Sequence, residues 1–187
     1  MSSSRTNGLT KDYSGKFGDQ YVLRRKNGKS LMTKLPEKSK LPMTEAQKRV
    51  KANFRAASAF AREKLSEPVM RAAYLKKGNG VRSAYNVAMS DFFNPPVINL
   101  INVSFYNGHA GDVIMVEAVD DFRVERVILT LSDENNNVLE TGDCIHTGDG
   151  PEWVYTLKQD QQPVTGQQIK VVAFDLPNHP GEGVRNM

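Results

Sequence analysis

The 187-residue chain is 39% hydrophobic and 25% charged, the composition of a globular protein long enough to bury a core in one domain or two small ones. Its apolar runs, such as Val113 to Val116, are too short to span a bilayer, and its single cysteine, Cys144, excludes an internal disulfide. The start, "MSSSRTNGLTKDYSGKFG", lacks the apolar stretch of a secretory signal, so the expected location is cytoplasmic or within a virion. The net charge of +4 conceals an asymmetry: residues 1–92 hold 20 Lys+Arg and 7 Asp+Glu, whereas residues 93–187 hold 5 and 14. Such a contrast speaks of surfaces and partners rather than of fold.

In chain order, residues 1–19 are Ser-, Gly- and polar-rich and read as a flexible arm. Residues 20–42 form a basic hairpin and linker: Asn27-Gly28 supplies the positive φ angles of a type I′ turn, Tyr21–Leu23 and Leu31–Thr33 suit flanking strands, and "LPEKSKLP" reads as an extended connection. Residues 43–94 are a helical segment of three helices. Thr44 and Gln47 match a capping box; Val50, Phe54, Ala57 and Ala61 recur on one helical face, with Phe60 and Leu65 near its edges. Lys48, Lys51, Arg55 and Arg62 form a second stripe about 110° around the axis. Ser66 is the expected cap of the second helix, and Val81, Ala84, Tyr85, Ala88 and Phe92 the expected buried face of the third. Asn94-Pro95-Pro96 ends the helical pattern.

After Pro96 the period changes. "INVSFY", "DVIMVEAV", "VERVILTL", "EWVYTL" and "QIKVVAF" alternate or run apolar between turn-forming stretches, which predicts an antiparallel β-sandwich over 97–187. On "EWVYTL", Trp153, Tyr155 and Leu157 should point into the core. The fold class is therefore α+β: a basic β-hairpin and three-helix segment followed by the sandwich.

The stretch "GDVIMVEAVDDFRVERVILTLSDENNNVLETGD…EWVYTL…GQQIKVVAFDLPNHPGEG" resembles bacterial immunoglobulin-like or fibronectin type III modules. The features carrying the resemblance are Ala118 with Asp120, the polar hairpin "SDENNNVLETG", Trp153 with Tyr155, and Ala173 with Asp175 and Pro177. It implies an Ig-like sandwich and no catalytic residue. Few residues follow Gly181, so the last strand must be short or supplied by a neighbouring chain. The front half, "SGKFGDQYVLRRKNGKS…LP…TEAQKRVKANFRAASAF", resembles small uncharacterised basic proteins of Bacteroidota and their phages, which implies no known activity.

Catalytic constellations are thin. Cys144 and His146, two apart and beside Asp143, sketch half a metal site but lack further clustered ligands. Asp133, Asn135 and Asn137 mimic the start of a calcium loop without its glycine and late glutamate, so the turn reading is preferred. No cofactor, metal or small-molecule substrate is indicated, and the chain reads as non-enzymatic. The basic surface expected to meet a partner comprises Arg24, Arg25, Lys26 and Lys29 on the hairpin with Lys48, Lys51, Arg55 and Arg62 on the helix. The favoured reading is a structural or adaptor protein of an assembly, such as a phage virion. There the basic half docks on an acidic neighbour, or on another copy in a homo-oligomer. The alternative is nucleic-acid binding, with the hairpin tracking phosphates and Tyr13, Phe17 and Tyr21 stacking on bases.

Overall fold

The computed structural model describes residues 14–26, 29–35, 41–148 and 150–187. The chain forms two compact units, Met1–Gln47 and Lys48–Met187. Among the described residues it is α+β, with three helices and eleven strands in three antiparallel sheets.

The first unit holds a sheet ordered β1-β2-β3, from β1 (Gly15–Phe17), β2 (Tyr21–Lys26) and β3 (Lys29–Lys34). Pairing from Tyr21↔Lys34 to Lys26↔Lys29 is the register of a two-residue connection, although Asn27 and Gly28 themselves lie outside the described residues. Part of the stretch read as a flexible arm is thus a strand, because Gly15–Phe17 pairs with Tyr21–Leu23; residues 1–13 lie outside the described residues. Residues 15–25 and 30–34 include no buried side chain, so backbone pairing rather than a core holds this part of the sheet. Most of the linker, residues 36–40, also lies outside the description.

Helix α1 (Glu45–Ser66) starts as its sequence predicts. The Thr44 amide donates to Gln47 Oε1 at 3.0 Å and the Gln47 amide to Thr44 Oγ1 at 3.3 Å, the reciprocal bonds of a capping box. Helix α2 (Pro68–Lys77) does not start where expected. Ser66 belongs to the end of α1, where its hydroxyl donates to the Glu63 carbonyl; Glu67 is the N-cap of α2 and makes no side-chain cap bond. Pro68 in the first turn has no N–H to leave unsatisfied, which makes a side-chain cap less necessary. Helix α3 (Ala84–Phe93) is capped by Ser83, whose hydroxyl accepts from the Asn86 amide. Its buried face is Ala84, Val87, Ala88 and Asp91 rather than the face through Tyr85 and Phe92. Small side chains admit the neighbouring helix closely, and the larger rings are displaced to the edges.

Eight strands follow: β4 (Val97–Phe105), β5 (Val113–Val119), β6 (Val124–Ser132), β7 (Val138–Asp143), β8 (Ile145–His146), β9 (Glu152–Thr156), β10 (Gln168–Asp175) and β11 (Pro180–Asn186). They make two four-stranded sheets, β4-β5-β9-β8 and β11-β10-β6-β7. The inward positions of both sheets share one core, including Ile114, Val116, Val127, Leu129, Trp153, Tyr155, Ile169 and Val171, which gives a β-sandwich-like body. Trp153, Tyr155 and Leu157 are buried, as their alternation predicts. The last strand comes from the chain itself and is not short: β11 begins at Pro180 and has seven residues, as many as β5. Its glycines have a steric reason: a Cβ on Gly181 would lie 1.7 Å from the Pro96 carbonyl oxygen, and one on Gly183 would lie 2.8 Å from Ile98 Cβ.

From Lys48 onward the helices and the two large sheets belong to the same compact unit, so Asn94-Pro95-Pro96 lies inside it, between the last helix and β4. A second apolar cluster joins the layers: Ala61, Met70, Tyr74, Ala84, Val87 and Ala88 pack with Phe122 and Leu176 from the sheet connections. Tyr74 stacks on Phe122 with ring centroids 4.0 Å apart.

Candidate functional site

The apolar stripe of α1 divides into two halves. Ala57 and Ala61 are fully buried, yet one to two turns earlier Val50 is 60% and Phe54 57% exposed. Phe54 lies beside the Phe93 ring, 5.3 Å between centroids, and Phe93 is itself 41% exposed. These rings form part of a groove of about 830 Å³ between α1 and α3. Phe54, Ala59, Met89 and Phe93 give it an apolar floor, and Lys51, Arg55 and Arg62 stand around it. The Tyr85 hydroxyl donates to Ser58 Oγ at 2.9 Å and ties the two helices together across the groove. At the far end of α3, Ser90 Oγ and Asn94 Nδ2 both donate to Asp121 Oδ2, at 2.9 and 2.7 Å. Those bonds, Asn94 first, hold the Asp121 carboxyl below its ordinary range.

No carboxylate, imidazole or thiol lines the groove, and none of its three cations makes an ion pair with a described residue. Three uncompensated positive charges around an uncovered aromatic floor attract an anionic ligand with an apolar part.

Of the eight cations expected to meet a partner, the structure gathers Lys51, Arg55 and Arg62 around this groove. Lys48 is exposed on the same helix. Arg24 and Arg25 are exposed on β2, in the other compact unit, where successive residues face opposite sides of the sheet. Lys26 and Lys29 pair across the hairpin through their backbones. Of the suggested stacking groups, Phe17 and Tyr21 are exposed and opposite each other, while Tyr13 lies outside the described residues.

Sequence reasoning missed a buried acidic cluster between the layers. Asp91, on α3, is fully buried and accepts the Tyr74 hydroxyl at 2.6 Å. Asp120 and Asp175 lie near it, and Asp91 Oδ1, Asp120 Oδ1 and Asp175 Oδ2 are buried with no donor within hydrogen-bond distance among the described residues, which leaves a proton on Asp91 an acceptor in Asp120. Burial pushes the Asp91 carboxyl up to about 7; the Tyr74 hydrogen bond opposes the rise and neighbouring Asp120 adds to it. Burial likewise raises Asp175. Nothing in the local sequence marks Asp91, because the neighbours that trap it come from distant parts of the chain.

The other chemical candidates resolve into structure. Cys144 is buried, and burial lifts its thiol to about 12, with Asp143 adding to the rise, far from a reactive thiolate. Asp133 Oδ1 accepts the amides of Asn135 and Asn137, each at 2.8 Å, so the calcium-like run is an Asx-type turn. Among the described residues, no group of three or more His, Cys, Asp or Glu is arranged to hold a metal, and no helix is long and apolar enough to cross a membrane. Set against family models, curated proteins and solved structures, the chain matches none of them.

Proposed function

We propose that this protein is a non-enzymatic structural or adaptor component of a macromolecular assembly, of the kind a phage particle uses, and that it docks on an acidic protein neighbour through the α1–α3 groove. The observation that carries the reading is the groove itself: exposed Phe54 and Phe93 beside Lys51, Arg55 and Arg62, which have no ion-pair partner among the described residues, and no acidic residue among the described lining. Apolar floors ringed by charge are the pattern of surfaces that receive an amphipathic segment. The sheets behind the groove serve as an immunoglobulin-like scaffold in this reading. Lettering β4 to β11 as A, B, C, C′, D, E, F and G turns the two sheet orders into A-B-E-D and G-F-C-C′, which supports an Ig-like arrangement.

The experiment compares the wild-type chain with the Lys51→Glu/Arg55→Glu/Arg62→Glu variant and with a hairpin variant reversing Arg24, Arg25, Lys26 and Lys29. Particle incorporation or protein association is read beside retention of unrelated DNA over a salt series. Loss of protein association in the groove variant, with negligible DNA retention throughout, is expected. Tight DNA binding by the wild type near physiological salt would overturn the reading, provided it weakens with a log–log slope of about −0.7 to −0.9 per phosphate contact.

A further inference from the structure

We infer that the occupant of the α1–α3 groove is a second copy of this chain, which presents the acidic edge strand β7 of its own sandwich. The inference rests on the docking reading above and names the partner. Its basis is a complementarity within the compact unit Lys48–Met187. Residues 48–62 contain five Lys+Arg and no Asp or Glu, while residues 127–157 contain six Asp+Glu and no Lys or Arg.

The acidic stretch also carries uncovered apolar side chains: Val138 is 62% and Ile145 75% exposed, and Leu139 between them is exposed too. Val138 and Leu139 stand on β7, the outermost strand of its sheet, and Ile145 stands on β8, the outermost strand of the other. Edge strands in isolated proteins are commonly blunted by lysine or proline. Strand β7, "VLETGD", contains neither. Two acids of the stretch already have internal work: Asp133 closes the turn before β7, and Glu140 on β7 accepts the Tyr155 hydroxyl and the Lys158 amide. Glu134 and Asp143 remain exposed, flanking Val138 and Leu139 in sequence.

Phe54 and Val138 are both bare in one copy, so neither surface covers the other within the molecule. Between copies, Val138 and Leu139 meet the apolar floor while Glu134 and Asp143 meet Lys51, Arg55 and Arg62. Groove and edge are different patches, so the contact is head-to-tail and propagates into a ring or a filament.

Sedimentation velocity and light scattering on the full chain, over a concentration series at low and high salt, test this. Wild type is expected to assemble beyond a monomer at low salt and to dissociate as salt screens the rim. A groove variant, Arg55→Glu/Arg62→Glu, and an edge variant, Glu134→Gln/Val138→Asn/Asp143→Asn, should each stay monomeric while retaining wild-type circular dichroism. Mixed one to one, they should form a species of two chains and no larger, since the mixture holds one intact groove and one intact edge per pair. A monomeric wild type, an edge variant that assembles normally, or a mixture that does not associate would each overturn the inference. If the groove variant alone loses assembly, this inference falls and docking on a protein stands. DNA retention that disappears in the groove variant removes the docking reading itself.

Discussion

Strand β10 and helix α1 each carry a periodic apolar face, yet the two faces end in different states. Along β10, Ile169, Val171 and Ala173 are all fully buried against the opposite sheet. Along α1, Ala57 and Ala61 are equally buried, while Val50 and Phe54 on the same stripe face solvent. A sandwich closes on itself because each sheet supplies the other's partner. A helix longer than the layer beneath it leaves apolar surface beyond the last contact. That surplus, lined by uncompensated cations, is where this molecule has material for a neighbour. Substitutions on the two sides should therefore behave oppositely, in stability on one and in association on the other.

The largest stability effect is expected at Trp153, buried in the sandwich between the cross-strand neighbours Val116 and His146. Trp153→Ala removes a large ring from a closed core and should cost about 3–5 kcal/mol in urea unfolding. Its native fluorescence should resist iodide quenching. Ready quenching would place the ring outside the core and weaken the contrast between sandwich and groove.

Next in size is a pH effect at the layer junction. Asp91 has a folded-state pKa raised to about 7 from the ordinary carboxylate value, so the folded state favours its proton. The stability this group contributes is therefore fully present below about pH 4 and lost as pH rises through about 7. Tyr74 on α2, Asp120 between β5 and β6, and Asp175 at the end of β10 supply its electrostatic surroundings, while Arg123 acts on Tyr74 and His179 on Asp175. Burial raises Asp175 as well, so it works in the same direction, whereas the lowered Asp121 opposes it on acidification. Asp91→Asn keeps an acceptor for the Tyr74 hydroxyl and removes the charge. At pH 8 it should stabilise the protein by on the order of 3 kcal/mol, with little change at pH 4. Equal urea midpoint shifts at both pH values would show that Asp91 does not titrate with folding.

Much of this architecture is written locally. The Thr44–Gln47 box fixes a helix start from four residues, and alternation on β9 places Trp153 and Tyr155 because period 2 has only two phases. What sequence does not carry is what lies opposite. "PGEGVRN" has no apolar alternation to announce β11; its glycines answer to Pro96, just before β4, and to Ile98 on β4. On α3 the expected Ala84 and Ala88 are buried, but the rings of Tyr85 and Phe92 lie at the edge, and Val87 and a buried aspartate complete the inner face. Phe54 belonged to a correctly identified apolar face. Only the three-dimensional neighbours show that the face outruns its cover.

A smaller effect belongs to the cap of α1. Thr44→Ala deletes the hydroxyl that accepts the Gln47 amide and should cost about 1 kcal/mol. Its first readout is faster hydrogen exchange at the start of α1, because a lost cap frays a helix from its end. Unchanged exchange there would mean that the box is redundant. Frayed exchange with weakened assembly would link the order of α1 to its docking face.

The smallest stability change, and the most informative, is expected at Phe54. The side chain is more than half exposed, so truncation removes little buried area, and Phe54→Ala should change the unfolding free energy by about 0.5 kcal/mol or less. The same substitution removes a ring from the groove floor and leaves Lys51, Arg55 and Arg62 in place. If association depended on the cations alone, it would survive with its salt dependence intact. If the apolar floor anchors the partner, affinity should fall by about tenfold or more, in keeping with the cost of truncating an aromatic anchor at an interface. The decisive comparison sets the Trp153→Ala and Phe54→Ala variants side by side in urea unfolding and in sedimentation. Phe54→Ala should lose association while remaining as stable as the parent. A large loss of stability there, without loss of association, would mean that the Phe54–Phe93 contact serves the fold rather than a neighbour.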